Sequence, residues 1–309
     1  MKRLIIPLGI LIVILAIWLV QSKMESKRIS GKTIDNFLNL DAERINKIVL
    51  HTKNDTLTFY LQGGTWYAQD TVPRWADTLA INNMITTAVG LKVGNIISQN
   101  PDLQTSFQVD STGNLAEFYD GDRLLSAVLV GKVSSDYSHT YVRKPGSDNV
   151  YLAEGLLTYV FNRQRIQWLD RTILSVAPDL IAAVEISYPQ ENIAYKIFRH
   201  DSLWFVAKSP YTDSILADSQ KVASYIIQFQ SLIASDFTKA TDDGLIDFDS
   251  LSLVLNLSLV DGATRSVSFA KIVPEGSRVY CRKPDLEEPL VIYKSKYQNL
   301  AKRFADFLP

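Results

Sequence analysis

Cysteine is nearly missing from this chain. Cys281 is the single one among 309 residues, so no intrachain disulfide can form, and the fold must rest on buried apolar surface, which two domains can supply without covalent staples. Cys281 also lies far from the N-terminus, which excludes it as a lipoprotein acylation site. Histidine is almost as sparse. His51, His139 and His200 are widely spaced, and none is followed by a second histidine or a cysteine at i+2 to i+4, so no zinc-type ligand spacing is present. A surplus of charge is lacking too: 32 basic residues stand against 33 acidic ones, for a net charge of −1. That balance gives no basic face of the kind nucleic-acid binding requires. What is present is ordinary for a globular protein, with 47% hydrophobic and 21% charged residues. The length suits about two domains of roughly 100–150 residues each.

The one long apolar run opens the chain. Lys2 and Arg3 precede an uncharged stretch from Leu4 to Val20, interrupted only by Pro7 and Gly9. As a helix this run is about 25 Å long at roughly 1.5 Å per residue, short but adequate for a membrane hydrocarbon core of about 30 Å. Its end, Ala16-Ile17-Trp18-Leu19-Val20-Gln21-Ser22, has no small-x-small pair for signal peptidase, and Trp18 suits an interfacial position. The reading is an uncleaved anchor over residues 1–22 and a polar tether over 23–40. Lys23, Lys27 and Arg28 follow the run at a density similar to that before it, so the short N-terminal tail decides orientation. That tail stays cytoplasmic and the C-terminal mass follows outwards, giving a single-pass bacterial inner-membrane protein with a periplasmic C-terminal region.

Beyond the anchor the chain repeats itself. Ile45-x-x-Ile48-x-Leu50 is echoed by Ile181-x-x-Val184-x-Ile186, Thr65-Trp66-Tyr67-Ala68 by Leu203-Trp204-Phe205-Val206, and Ala76-Asp77 by Ala217-Asp218. Tyr141-Val142-Arg143-Lys144-Pro145 recurs as Tyr280-Cys281-Arg282-Lys283-Pro284. Order and separation are kept throughout, which assigns two lobes, 41–175 and 176–309. In each, alternating or β-rich segments predict three strands (Ile48–Thr52, Thr56–Leu61 and Trp66-Tyr67; Ala183–Tyr188, Ile193–Phe198 and Trp204–Ala207). A helix follows, with apolar residues at i, i+3, i+4 and i+7: Ile81, Met84, Ile85 and Ala88, then Val222, Tyr225, Ile226 and Phe229. Asp77 and Asp218 stand where an N-cap carboxylate takes the free amides of the first turn. Hairpins are predicted at Asp120-Gly121 and Asp261-Gly262, and closing helices over about Leu156–Arg163 and Lys296–Phe307. The fold class is α+β: an N-terminal transmembrane helix, then two repeated lobes, each an antiparallel β-meander with helices on one face.

Chemistry-bearing patterns are weak. Asp247-Phe248-Asp249 approaches a calcium loop but lacks the following glycine and terminal glutamate, and reads better as turn and capping residues. Gly90 and Gly94 lie at the end of the predicted helix, which suits termination, where a phosphate cradle would need them between strand and helix. No serine occupies a G-x-S-x-G elbow, and Cys281 reads as a packed mid-strand thiol. Asp242-Asp243 and Glu287-Glu288 fall in polar stretches that read as solvated. Tyr119, Tyr137, Tyr141, Tyr211 and Tyr280 lie near hairpins, where strand propensity and core filling account for them better than recognition does. No catalytic, cofactor-binding or metal residue is assigned, and the chain reads as non-enzymatic.

The pattern through Trp66, Ala76-Asp77, Gly131, Tyr141-Val142-Arg143, Val150-Tyr151-Leu152 and Trp168-Leu169-Asp170-Arg171-Thr172-Ile173-Leu174 resembles the bacterial family DUF4340, whose function is unknown. The second lobe repeats it more loosely and carries Phe269-Ala270 where the first has its strand-ending Gly131. The resemblance implies a membrane-anchored extracytoplasmic protein, often associated with ABC-type transport systems like those of gliding-motility bacteria, and it transfers no catalytic residue. Three functions follow as expectations. The leading one is an accessory or scaffold subunit that meets the membrane through residues 4–20 and a protein partner, such as an ABC-transporter subunit, in the inner membrane or periplasm, with no nucleic acid. The second is a membrane-tethered module holding a small molecule or glycan between the lobes, in an apolar cleft at their junction near Trp168–Pro178. The third, an enzyme, requires acids or bases brought together from distant positions.

Overall fold

Alternation of apolar and polar residues builds the first lobe's strands. In the computed structural model, which describes residues 33–69, 73–242, 244–271, 276–286 and 288–309, these are β1 (Lys47–His51), β2 (Thr56–Gln62), β3 (Thr65–Ala68), β4 (Arg74–Trp75), β5 (Val93–Ser98), β6 (Asn114–Asp120), β7 (Arg123–Val133), β8 (His139–Arg143) and β9 (Val150–Glu154). One side of the alternation is withdrawn from water: Ile48, Leu50, Leu57, Phe59, Trp66, Ala116 and Phe118 are all buried. The helix α1 (Thr78–Val89) covers that side with Ala80, Ile81, Met84, Ile85 and Ala88. Asp77 caps it, its carboxylate accepting from the amide of Ala80 at 3.0 Å. Two shorter helices, α2 (Gln104–Phe107) and α3 (Thr158–Phe161), complete the lobe.

The second lobe is laid out in the same way. Its strands are β10 (Thr172–Leu174), β11 (Ile181–Tyr188), β12 (Ile193–His200), β13 (Leu203–Lys208), β14 (Ser214–Leu216), β15 (Leu232–Ile233), β16 (Asp236–Phe237), β17 (Leu253–Leu259), β18 (Thr264–Phe269), β19 (Arg278–Arg282) and β20 (Leu290–Tyr293). Its helices are α4 (Ser219–Ile226), capped by Asp218, and α5 (Lys294–Leu300). Among the described residues each lobe forms a nine-stranded sheet, ordered β4-β3-β2-β1-β6-β7-β8-β9-β5 in the first and β14-β13-β12-β11-β17-β18-β19-β20-β16 in the second. Among the described residues the strand pairings are antiparallel, and position for position the two orders correspond. The predicted meander is interrupted once in each, because β5 and β16 follow the helix and join the far edge of the sheet. Helices are few, so the lobes are mostly antiparallel sheet. The chain divides into compact units at Met1–Asp170 and Arg171–Pro309.

The repeat extends to the ties that close each lobe. The amide of Ala76 donates to the carbonyl of Trp66, as that of Ala217 does to Trp204, both at 2.8 Å. Residues 33–40, read as the end of the tether, include Ile34, which bridges to Val93, and the buried Phe37 and Leu38. The predicted anchor and most of the tether lie outside the described residues. Among the described residues no helix is long and apolar enough to cross a membrane.

Three local expectations need correction. Phe229 is buried, but it lies past the end of α4 in a 3-10 turn, Ile227–Ser231. Gly90 ends α1, with its amide bonded to Thr86, whereas Gly94 belongs to β5. The second closing helix stops at Leu300 and resumes only as a 3-10 turn at Phe304–Phe307. Tyrosine hydroxyls explain the break: Tyr225 donates to the Leu300 carbonyl at 2.9 Å, and Tyr188 and Tyr195 both donate to that of Lys302. These carbonyls are thus satisfied by side chains of α4 and the sheet, and need no amide from a further helical turn.

Candidate functional site

The sheet face opposite each helix is where the two lobes present side chains to solvent. In the first lobe a row of directly paired residues crosses five strands: Tyr119 on β6, Lys47 on β1, Tyr60 on β2, Tyr67 on β3 and Trp75 on β4. Direct partners in an antiparallel sheet point to the same face, so the row is continuous. Tyr60 and Tyr67 stack with ring centroids 5.6 Å apart and planes inclined by 17°. The Lys47 ammonium lies 5.0 Å from the centre of the Tyr119 ring and 3.1 Å from Asp122. Two residues back along β6, Glu117 accepts from the Tyr119 hydroxyl at 2.9 Å and lies 3.3 Å from His51 Nε2. Burial, with the Glu117 carboxylate added to it, pushes the Tyr119 hydroxyl above its usual pKa.

The second lobe repeats the row with different chemistry. Ala183, Phe198, Phe205 and Leu216 are paired across β11, β12, β13 and β14. Phe198 and Phe205 stack at 5.9 Å with planes at 26°, and the His200 ring lies edge-on to Phe205 at 6.5 Å. The stacked pair therefore recurs at corresponding strand positions, as tyrosines in one lobe and phenylalanines in the other. At the edge beside it, Leu203, Ile215 and Leu216 are all exposed. Trp66-Tyr67 and Trp204-Phe205 were visible as a repeat in the sequence; that their second members join a stacked face was not, because the partners Tyr60 and Phe198 come from another strand.

The remaining sequence candidates are dispersed. His139 pairs locally with Asp136 at 2.8 Å, and His200 lies 3.7 Å from Asp201. No group of three or more His, Cys, Asp or Glu side chains that can hold a metal occurs among the described residues. Cys281 is buried within β19, and burial pushes its thiol up to about 12, far from a reactive thiolate. Asp247 accepts from the amides of Asp249 and Ser250 at 2.9 and 3.1 Å, a turn-forming role. Tyr141 and Tyr280 fill the core, whereas Tyr137 and Tyr211 are exposed.

Asp242 departs from its reading as a solvated loop residue. It is buried, and Arg278 reaches its carboxylate at 2.8 Å from across the lobe. Asp243 and Glu287 lie outside the described residues. Of the stretch near Trp168–Pro178, Trp168 and Leu169 are buried in the first unit, and the Trp168 indole N–H meets no acceptor among the described residues. Residues 172–175 line a cavity of about 410 Å³ within the second unit, together with Arg265 and Lys283.

Comparison with known proteins adds a family and no activity. The model of DUF4340, described as a domain of unknown function, matches residues 66–250, more than half of the chain. No curated protein and no solved structure matches it.

Proposed function

The chain belongs to the DUF4340 family, and on that premise we propose that it is a non-enzymatic accessory or scaffold subunit of a bacterial envelope assembly, docking on a membrane-protein partner through the outer faces of its two sheets. Residues 4–20 anchor it in the inner membrane, with the N-terminus cytoplasmic and both lobes periplasmic. The partner is a subunit of an ABC-type transporter or a neighbouring inner-membrane protein.

The observation that carries this reading is the stacked aromatic pair kept in both lobes on the face turned away from the helix. Core packing does not require aromatic residues there, since the cores are filled from the other side by Phe59, Trp66, Tyr195 and Trp204. Aromatic rings bury large area at low conformational cost and anchor protein interfaces. The flanking Lys47, Glu117 and His51 add the polar contacts that fix orientation.

The test is cross-linking and affinity recovery of the full-length protein from native membranes, with Tyr67→Ser and Phe205→Ser variants in parallel. A membrane partner recovered with the wild type and lost with either variant, at unchanged circular dichroism, supports the reading. Recovery of the protein alone, or a partner indifferent to both variants, overturns it. Topology is checked by C-terminal reporter fusions: activity confined to a cytoplasmic reporter removes the periplasmic placement.

A further inference from the structure

The two lobes share a strand order but diverge at the far end of β7, and the divergence opens a concavity in the first lobe. β7 changes register against β8 between Val130 and Val133, a bulge of the kind that re-aims side chains beside binding sites. Two glycines let neighbouring backbone close in on it. A Cβ on Gly131 would stand 2.2 Å from the Phe107 carbonyl oxygen, and one on Gly113 would stand 2.1 Å from that of Gln108. Gln108 itself takes the left-handed conformation, with φ +56°, which is uncommon without glycine. Among the described residues the second lobe differs here: β18 ends at Phe269, and the methyl of Ala270 is buried against Tyr280 and Val291 with Ile246 and Phe248 beside it. Gly131 and Ala270 thus stand at corresponding places in the two lobes, one under close backbone and one in an apolar cluster.

The cavity measures about 530 Å³, within the usual range for small-molecule sites of roughly 300–1,000 Å³. Its lining combines threonine hydroxyls, the amide side chains of Asn54, Gln108, Asn114 and Asn162, and two lysines. Thr105 and Thr112 donate their hydroxyl hydrogens to Asp110, each at 2.5 Å. A hydroxyl whose hydrogen is committed in this way offers only lone pairs on its other side, so both threonines stand as fixed acceptors. Asp110 does not line the cavity; those hydrogen bonds hold its carboxyl down at about 2. Opposite in character are Lys53 and Lys132, exposed ammonium groups that only donate. The neighbouring acid Asp55 is engaged by Arg165 through bonds of 2.8 and 2.7 Å, which leaves the lysine charges to a ligand.

We propose that this cavity in the first lobe binds a small polyhydroxylated anion, a sugar bearing a carboxylate or a phosphate group. A neutral sugar would satisfy the threonine acceptors and leave the two lysines unused. A bare inorganic anion would use the lysines and the amide donors and leave the two fixed threonine acceptors unmatched. A ligand with both hydroxyls and a negative charge matches both halves.

The experiment is isothermal titration of the full-length protein in detergent with glucuronate, glucose 6-phosphate, glucose and inorganic phosphate, on the wild type and on the Lys53→Ala/Lys132→Ala double variant. At least one sugar anion binds, with glucose and inorganic phosphate each about tenfold weaker or more, a difference of about 1.4 kcal/mol. The double variant loses at least about tenfold in affinity for that ligand. Both lysines are exposed, so it folds normally, which its thermal unfolding confirms. The better of the two sugar anions identifies the charged group. Absence of binding by both at about ten times the usual upper KM of roughly 1 mM, parity between the sugar anion and inorganic phosphate, or indifference to the double substitution overturns the proposal.

Discussion

The amide of Asp77 donates to the carbonyl of Trp168 at 2.8 Å, so the residue that starts the first lobe's helix also holds the end of its closing segment. The second lobe repeats the tie between Asp218 and Phe307 at 2.9 Å. Both aspartates also cap their helices through the side chain, so one residue secures two elements that are far apart in sequence. Replacing Asp77 or Asp218 by Ala leaves the backbone tie in place and removes the cap. Each variant loses about 1 kcal/mol of stability, read as a lower denaturation midpoint at unchanged slope.

Gly131 is held under the carbonyls of Phe107 and Gln108 and the buried Val109 side chain, so a methyl group there has nowhere to go. Gly131→Ala destabilises the first lobe by about 1–3 kcal/mol, the usual range for overpacking. The reverse change at the corresponding place, Ala270→Gly, costs about 1 kcal/mol through added chain entropy and lost packing. Urea unfolding of the two variants measures both, and a G131A variant as stable as wild type would remove the steric argument.

Asp242 is a buried carboxylate neutralised from β19. Cutting Arg278 to Ala removes its ion-pair partner and leaves the Lys239 amide, which donates to the carboxylate at 2.9 Å, at a cost of about 1–3 kcal/mol. Pairing Arg278→Met with Asp242→Asn recovers a large part of the loss, since neither side chain is then charged. A double-mutant cycle by thermal unfolding gives the coupling.

Two ion pairs, one half-buried and one exposed, make stability depend on acid. The Arg165 guanidinium, hydrogen-bonded to Asp55, holds its carboxyl below the ordinary 3.8, and Arg303 does the same for Glu191 from its ordinary 4.5. A carboxylate lowered on folding adds stability above its unfolded pKa, and that addition disappears as pH falls through the folded value. The wild type therefore loses stability below about pH 4.5 more steeply than an Asp55→Asn/Glu191→Gln variant, with the two curves converging at the acid end. Unfolding free energies measured from pH 7 downward check the sign.

Cys281 is shielded in the core of the second lobe. A thiol reagent such as dithionitrobenzoate leaves the folded protein unmodified for hours and titrates one thiol per chain on unfolding in guanidinium. Prompt reaction of the native protein would place Cys281 in a more open setting.

Much of the architecture was legible because it is written over short windows. Asp77 and Asp218 are caps because the apolar stripe begins right after them. Asp120-Gly121 and Asp261-Gly262 turn the chain because each glycine takes a positive φ, +60° and +85°. The matched tryptophans Trp66 and Trp204 betray the duplication because each copy needs the same large side chain at the same core position. No local rule says that Tyr60 lies against Tyr67 with Lys47 on its other side, or that Arg278 reaches back 36 residues to Asp242.

Sequence by itself determined the local elements: which segments become strands, where helices start, and that the pattern occurs twice. These follow from periodicity and from hydrogen-bonding needs within a few residues. Tertiary structure alone decided the strand order, with β5 and β16 carried to the far edge, and the break after Leu300 where tyrosines of α4 and the sheet take the carbonyls of Leu300 and Lys302. It also decided the stacked outer faces and the cavity under Gly131. Each of these depends on groups from separate elements meeting at contact distance, and only the packing of the whole lobe sets that distance.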